Sequence, residues 1–81
     1  MPGKKDIGKI YHGLTDDPDR RKAEHGNPAD WEVLPMEFSD ERSARAWEET
    51  NLLSPNAAGG GGGKGWRFGY RYTITEDTEE D

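Results

Sequence analysis

The sequence predicts a small α+β domain, in which two helices cover a three-stranded, mainly antiparallel sheet. The clearest observation is the alternation of apolar side chains with polar residues or glycine over residues 66–75, which is typical of a strand with one buried face. Two helix-start signals lie upstream, where Asp17 precedes Pro18 and where Ser39 precedes two acidic residues. The chain has 81 residues, 30% of them hydrophobic, and no cysteine. One modest core must therefore hold the domain together without disulfides or thiolate zinc sites.

The first half of the chain is predicted to contain one strand and one helix. Residues 1–8 have no periodicity and are predicted to form a flexible leader. Alternation over residues 9–14 predicts the first strand. The first helix is expected to begin at Pro18, with Asp17 as its N-cap, and to reach His25.

The second half is predicted to contain two strands and one helix. Residues 31–38 form the second strand, which an internal proline confines to a sheet edge or a bulge. Residues 40–53 form the second helix, and residues 66–75 form the third strand. The glycine-rich residues 57–65 between them are expected to be a disordered loop. The acidic residues 76–81 are expected to be a disordered tail.

The distribution of charge bears on the class of partner. A formal net charge of -6 argues at first sight against nucleic acid, because phosphate binding normally requires a basic surface. Five of the acidic residues lie in the tail, however, so the single predicted domain, residues 9–75, is much closer to neutral. The basic residues that cluster along this domain are candidate nucleic-acid contacts: Lys9, Arg20, Lys22, Lys64, Arg67 and Arg71.

Other classes of protein lack support in the sequence. Apolar runs are short, and the amino terminus shows no charged segment followed by an apolar stretch, so we expect a cytoplasmic protein with no membrane partner. No P-loop, dinucleotide fingerprint, paired-histidine metal helix or nucleophile elbow is present.

Four residues between positions 11 and 25 have a spacing that points to chemistry. Tyr11 and Gly13 end the first predicted strand, Arg21 follows Tyr11 by ten residues, and His25 follows Arg21 by four. Because Arg21 and His25 lie about one turn apart on one helix face, both are expected to project towards the strand end that carries Tyr11. A phenol, a guanidinium and an imidazole would therefore converge.

This spacing resembles the second half of the GIY-YIG nuclease motif, in which a strand ending in Tyr-x-Gly leads into a helix with the corresponding arginine and histidine. A later helix of that family carries a metal-binding glutamate, and Glu49, followed by Leu52 and Leu53, has the same form. Glu48 is the weaker candidate, because on a helical wheel it lies nearer the outer edge of the apolar arc. The resemblance implies a GIY-YIG-like fold and a Mg²⁺- or Mn²⁺-dependent endonuclease that cleaves phosphodiester bonds of nucleic acid, with DNA as the first expectation.

The resemblance also implies roles for individual residues. Glu49 would bind the metal, Arg21 would stabilise charge on the scissile phosphate, and Tyr11 or His25 would accept a proton from the attacking water. The family's first strand has no counterpart before Tyr11. If the third strand occupies that place in the sheet, as in a circular permutation, Tyr72 would replace the first-strand tyrosine and position the water.

The sequence leaves two alternatives open. The missing first strand favours a binding module that keeps the fold without catalysis and contacts nucleic acid or protein. The acidic tail favours an inhibitor that imitates nucleic acid and binds a basic protein. A nuclease of this length would need a partner protein for specificity or would cut nonspecifically. A nuclease or a nucleic-acid-binding module should bind nucleic acid with an affinity that falls steeply as the salt concentration rises, whereas an inhibitor that imitates nucleic acid should not bind it.

Overall fold

Four strands form a mixed sheet in the computed structural model, which describes residues 6–59 and 65–79. The strands are β1 (Ile10–Thr15), β2 (Glu32–Val33), β3 (Ala57–Gly59) and β4 (Phe68–Thr73), and the helices are α1 (Pro18–Glu24) and α2 (Glu41–Leu52). The sheet order is β2-β4-β1-β3. This is the predicted α+β domain with two helices. Neither helix within the described ranges has the length and apolar character needed to cross a bilayer.

The number of strands differs from the prediction. β4 pairs antiparallel with both β1 and β2, as expected, but β3 adds a fourth strand that runs parallel to β1. It lies in the segment predicted to be a disordered loop. The pairing is possible because Gly59 has a φ of 126° and no side chain, and its Cα position packs directly against the main chain of His12. The rest of the glycine run, residues 60–64, and the leader residues 1–5 lie outside the described residues.

Both helices begin at an aspartate that caps main-chain N–H groups. The carboxylate of Asp17 accepts a hydrogen bond from Arg20 N at 3.2 Å, as the sequence predicts. Asp40, one residue after the predicted cap Ser39, accepts from Ser43 N at 2.7 Å. Asp40 precedes Ser43 by three residues, which is the usual spacing between an N-cap side chain and the N–H group that it caps. The two helices consequently start within one residue of their predicted positions.

The end of α1 and the helix α2 lie on opposite faces of the sheet, so the two helices do not form one layer on a single face. His25, the C-cap of α1, lies on the face that carries Tyr11 and Tyr72. Trp47 of α2 lies on the opposite face, with its ring 5.9 Å from that of His12. The physical reason is Gly69, because a Cβ there would lie 2.9 Å from the Trp47 ring. The missing side chain leaves the space that the indole fills.

The core is aromatic and lies on the tyrosine face of the sheet. Tyr70 and Tyr72 are each 1% exposed, and Trp31 stacks on Tyr70 with 4.4 Å between ring centroids. Trp66 and Phe68, the other members of the row predicted to be buried, are half-buried. The tyrosines pack on Trp31 and His25 and not on the body of α1, which has no buried residue.

The residues after β4 form a turn that packs against the domain. Thr78 is 2% exposed, and its hydroxyl accepts from Thr75 N and donates to Thr75 O, both at 3.0 Å. Glu79 N donates to His25 O at 2.9 Å. Residues 76–79 thus differ from the disordered tail predicted for residues 76–81, whose last two residues lie outside the described part.

Candidate active site

His25 is the centre of a hydrogen-bond network beneath the sheet. The side chain is fully buried. Its Nε2 lies 2.8 Å from Tyr70 Oη and 3.1 Å from Arg21 Nη2. On the other side of the ring, Nδ1 contacts the main-chain carbonyl oxygen of Glu79 and lies 2.9 Å from Tyr72 Oη. The imidazole therefore joins α1 to β4 and to the C-terminal turn.

The neighbours of His25 define its tautomer. The carbonyl oxygen of Glu79 can only accept a hydrogen bond, so Nδ1 must carry a proton. The guanidinium of Arg21 can only donate, so Nε2 must present a lone pair. Both contacts favour the neutral Nδ1–H tautomer. Nε2 is then the acceptor for the hydroxyl proton of Tyr70.

Arg21 reaches from α1 to the same cluster. Its Nη2 donates to His25 Nε2 and, at the longer distance of 3.4 Å, to Tyr70 Oη. Its Nη1 donates to Glu24 Oε1 at 2.7 Å. The predicted i to i+4 relationship of Arg21 and His25 is therefore a direct contact, and the cation is shared with a neighbouring carboxylate.

A small pocket lies beside this network, between β1, β4 and both helices. We call it the tyrosine pocket. Its volume of ≈ 10 Å³ is about the space of one water molecule. The functional groups around it come from four separate elements: Tyr11, Gly13, Arg21, Arg45, Glu48 and Tyr70.

The glutamate at this pocket is Glu48. Burial raises its pKa, and the guanidinium of Arg45, 3.7 Å away, acts in the opposite direction. Glu49 is exposed and lies at a different surface cleft with Arg42 and Leu53. The structure thus brings Glu48 together with Tyr11 and Arg21, and it does not bring Glu49 to them.

The sequence contains a signal for Glu48 that the helical-wheel argument missed. The helical-wheel argument assumed that Leu52 and Leu53 mark the buried face of α2. Leu53, however, is 84% exposed. The buried residue of α2 is Ala44, at 0% exposure. Glu48 follows Ala44 by four residues and therefore lies on its face of the helix. A small residue marks the buried face here, because α2 approaches the sheet closely.

Sequence reasoning did not select Tyr70, which lines the tyrosine pocket. The permuted arrangement assigns the first-strand role to Tyr72, which lies directly opposite Tyr11 in the sheet. Both tyrosines contact His25, but Tyr70 lines the tyrosine pocket, whereas the hydroxyl of Tyr72 donates to Glu79 O at 3.2 Å. The period-two pattern puts both on one face and cannot distinguish between them.

The residues at the pocket fit a divalent metal only in a limited way. Glu48 supplies one carboxylate, the ligand type that Mg²⁺ and Mn²⁺ prefer. Within residues 6–59 and 65–79 no group of three or more histidine, aspartate or glutamate side chains is arranged to hold a metal ion. The donor set therefore suits a weakly held ion whose shell is completed by water and substrate phosphate.

A wider cleft of ≈ 330 Å³ adjoins the tyrosine pocket and shares Leu14 and Arg21 with it. We call it the outer cleft. Its other charged groups are of both signs, and they are Asp16, Arg20 and Glu24. The outer cleft is wide enough for a phosphate group and leads to the residues around Arg21.

The other predicted nucleic-acid contacts do not form one basic surface. Arg71 pairs with Glu32 at 2.6 Å on the opposite face of the sheet, and Arg67 pairs with Glu37 at 3.1 Å. Lys9 pairs with Asp6 at 3.3 Å. Lys22 is half-buried on α1, Arg20 lines the outer cleft, and Lys64 lies outside the described residues.

Comparison of the chain with family models, with curated proteins and with solved structures finds no match. A proposal for its function therefore rests on the fold and the site described above.

Proposed function

We propose that the chain is a small metal-dependent phosphodiesterase of the GIY-YIG type that acts on nucleic acid, with Glu48 in place of Glu49 as the metal-binding residue. One observation carries the proposal. Tyr11, Arg21, Tyr70 and Glu48 come from four different elements and line one pocket. A phenol next to an imidazole acceptor, a guanidinium and a half-buried carboxylate are the groups that phosphodiester hydrolysis requires.

The proton from the attacking water passes through Tyr70 in this mechanism. The hydroxyl of Tyr70 donates to His25 Nε2 at 2.8 Å. When Tyr70 Oη accepts a proton from water, its own proton moves to Nε2, and the imidazole becomes an imidazolium. Tyr11, at the same pocket, would orient the water from the side of β1. The pair Tyr70–His25 thus acts as the general base.

Arg21 would stabilise the charge that develops on the phosphate. The guanidinium already lies within the pocket and the outer cleft. It would exchange its hydrogen bond with Glu24 for a pair of parallel hydrogen bonds with two phosphate oxygens, whose spacing suits a planar guanidinium. Removal of one such donor typically lowers the rate on the order of 10²- to 10³-fold.

Glu48 would hold the Mg²⁺ or Mn²⁺, and the ion supplies electrostatic stabilisation of the scissile phosphate when it is bound. The raised pKa of Glu48 means that protons compete with the metal for this carboxylate more effectively than at an exposed glutamate. Activity should accordingly fall as the solution becomes more acidic.

A second candidate function is a binding module without catalysis, and a specific observation favours it. Tyr70 is 1% exposed and Tyr11 is 5% exposed, and the tyrosine pocket holds about one water molecule. In this reading the aromatic network is a core, and the outer cleft with Arg20 and Arg21 binds a phosphate of nucleic acid without cleaving it.

Cleavage of supercoiled plasmid and of single-stranded DNA and RNA, at low salt with Mg²⁺ or Mn²⁺, tests the proposal. We expect slow cutting by the full chain, no cutting by Glu48→Gln, and unchanged cutting by Glu49→Gln. The two variants differ by one position and remove the same charge. Intact nucleic acid under both metals, with salt-dependent binding retained, would favour the binding module instead. Equal loss of activity in both variants would contradict the assignment of Glu48.

A further inference from the structure

We propose that Glu79 positions the catalytic imidazole: its main-chain carbonyl holds His25 in the Nδ1–H tautomer, which directs the lone pair of Nε2 towards Tyr70 and Arg21. The catalytic meaning of this inference rests on the proposed function, but the tautomer does not. The C-terminal turn would then complete the site and would not be a solubilising tail.

Glu79 is attached to His25 through both of its main-chain polar groups. Its N–H donates to the carbonyl oxygen of His25 at 2.9 Å, and its own carbonyl oxygen contacts His25 Nδ1. The hydroxyl of Tyr72 donates to the same carbonyl oxygen at 3.2 Å. Three hydrogen bonds thus fix the main chain of Glu79 beside the ring, and the exposed carboxylate side chain of Glu79 takes no part in them.

The turn that precedes Glu79 is built to hold this position. Thr75 and Thr78 are joined by two hydrogen bonds through the Thr78 hydroxyl, and Thr78 is buried. Gly26 follows His25 and has a φ of 84°. A Cβ at Gly26 would lie 2.7 Å from the carbonyl oxygen of Asp77, so the turn packs directly on the main chain after α1. The main chain after α1 and the turn after β4 therefore pack closely against each other at Gly26.

The carbonyl oxygen of Glu79 has the role that a buried carboxylate has beside many catalytic histidines. With Nδ1 protonated and pointing at an acceptor, the lone pair lies on Nε2, towards Tyr70. When Tyr70 gives up its proton, the O–H bond breaks and an N–H bond forms at Nε2. The positive charge on the ring is then stabilised by the carbonyl dipole of Glu79. In the other tautomer Nε2 carries a proton and cannot accept a second one.

The test compares two proline variants of the full chain by ¹H–¹⁵N correlation spectra of the imidazole ring of His25. Glu79→Pro removes the N–H that donates to His25 O and should undock the carbonyl. Glu76→Pro is the matched control. It places proline at the second position of the turn closed by Thr78 N and Thr75 O, where proline is favoured.

We expect the Nδ1–H tautomer in the wild type and in Glu76→Pro, and a mixture with the Nε2–H tautomer in Glu79→Pro. A wild-type spectrum that shows the Nε2–H form would overturn the inference without any variant. An unchanged tautomer in a folded Glu79→Pro would overturn it as well. Because these readouts need no nuclease activity, they are separate from the test of the proposed function.

If the wild-type protein cleaves nucleic acid, Glu79→Pro should lower kcat at least tenfold and leave KM nearly unchanged. The variant loses the proton acceptor but keeps its contacts with phosphate. The same loss should appear in kcat/KM, because KM does not change. A purely structural role of the turn would change stability and neither of these quantities.

Discussion

Gly13 lies directly opposite Tyr70 in the sheet, and the phenol ring of Tyr70 occupies the space that a side chain at position 13 would need. A Cβ on Gly13 would lie 2.5 Å from Tyr70 Cζ. This contact sets the direction of the ring along β1, so that its hydroxyl reaches His25 Nε2. Close packing of the Tyr70 ring on the main chain thus explains why position 13 is a glycine.

We predict that Gly13→Ala moves the Tyr70 ring and breaks its hydrogen bond with His25. The free energy of unfolding should fall by about 1–3 kcal/mol, the usual cost of overpacking a core. Urea unfolding measures it. In a Tyr70→Ala background the same substitution should cost much less, because the ring is gone. Equal costs in the two backgrounds would contradict this account of Gly13.

Much of the fold could be predicted because the signals are local. Asp17 with Pro18, and the alternation over residues 66–75, depend on neighbours along the chain, and both predict elements that the structure contains. The pairing of β3 with β1 depends instead on a close approach between Gly59 and the main chain of His12, which are far apart in sequence. A run of glycine residues does not reveal such a partner.

The same distinction between local signals and tertiary contacts applies to the candidate site. The contact of Arg21 with His25 follows from helix geometry and was predictable from their spacing. The choice of Glu48 over Glu49 depends on which face of α2 meets the sheet, and Ala44 and Trp47 determine that face through tertiary packing. The contact of Glu79 with His25 joins residues that are far apart in sequence, and the acidic composition of the tail does not reveal it.

We predict that Glu48→Gln stabilises the fold at neutral pH, even though it should abolish activity. Burial raises the pKa of Glu48, so the folded state prefers the neutral form, and the contribution of this carboxyl to stability is lost as the pH rises through the folded pKa. An amide avoids that loss. The variant should be more stable at pH 7, on the order of 1 kcal/mol.

The pH dependence separates this effect from a general change of packing. Thermal and urea unfolding should show that the advantage of Glu48→Gln shrinks as the pH falls towards the unfolded pKa of glutamate, about 4.3. Glu49→Gln removes the same charge at an exposed position and should have a small effect with no such trend. A Glu48→Gln variant less stable than the wild type at pH 7 would refute the prediction.

We predict that His12→Leu increases stability, and more so in acid. His12 is 7% exposed, and its Nδ1 has no hydrogen-bond partner among the described residues. Burial lowers the pKa of His12, a hydrogen bond with the main chain of Ile10 acts in the opposite direction, and nearby Arg71 lowers the pKa further. The folded state therefore prefers the neutral ring, and stability is lost as the pH falls below the unfolded value of about 6.5.

Leucine is close to histidine in volume and removes both the unpaired nitrogen and the titration. The gain at pH 7 should be about 1–3 kcal/mol, the usual cost of an unsatisfied buried polar group. It should grow between pH 7 and pH 5. The fluorescence of Trp47, whose ring contacts His12, reports whether the packing is kept. A difference in stability that does not change with pH would show that His12 does not titrate as proposed.

We predict that Glu24→Gln strengthens the binding of nucleic acid at the outer cleft. Glu24 pairs with Arg21 at 2.7 Å and with Arg20 at 3.7 Å, so it neutralises both cations of the cleft. Removal of this carboxylate charge lowers the repulsion of a phosphate beside both guanidinium groups. The pairs are partly exposed, and such pairs contribute about 0.2–1 kcal/mol, so the affinity should rise roughly 1.4- to fivefold. Glu32→Gln is the matched control, since it releases Arg71 on the opposite face of the sheet and changes the net charge equally. Fluorescence anisotropy with a labelled oligonucleotide at several salt concentrations measures both variants. An equal rise in the two would mean that only net charge matters, and it would remove the outer cleft as the phosphate site.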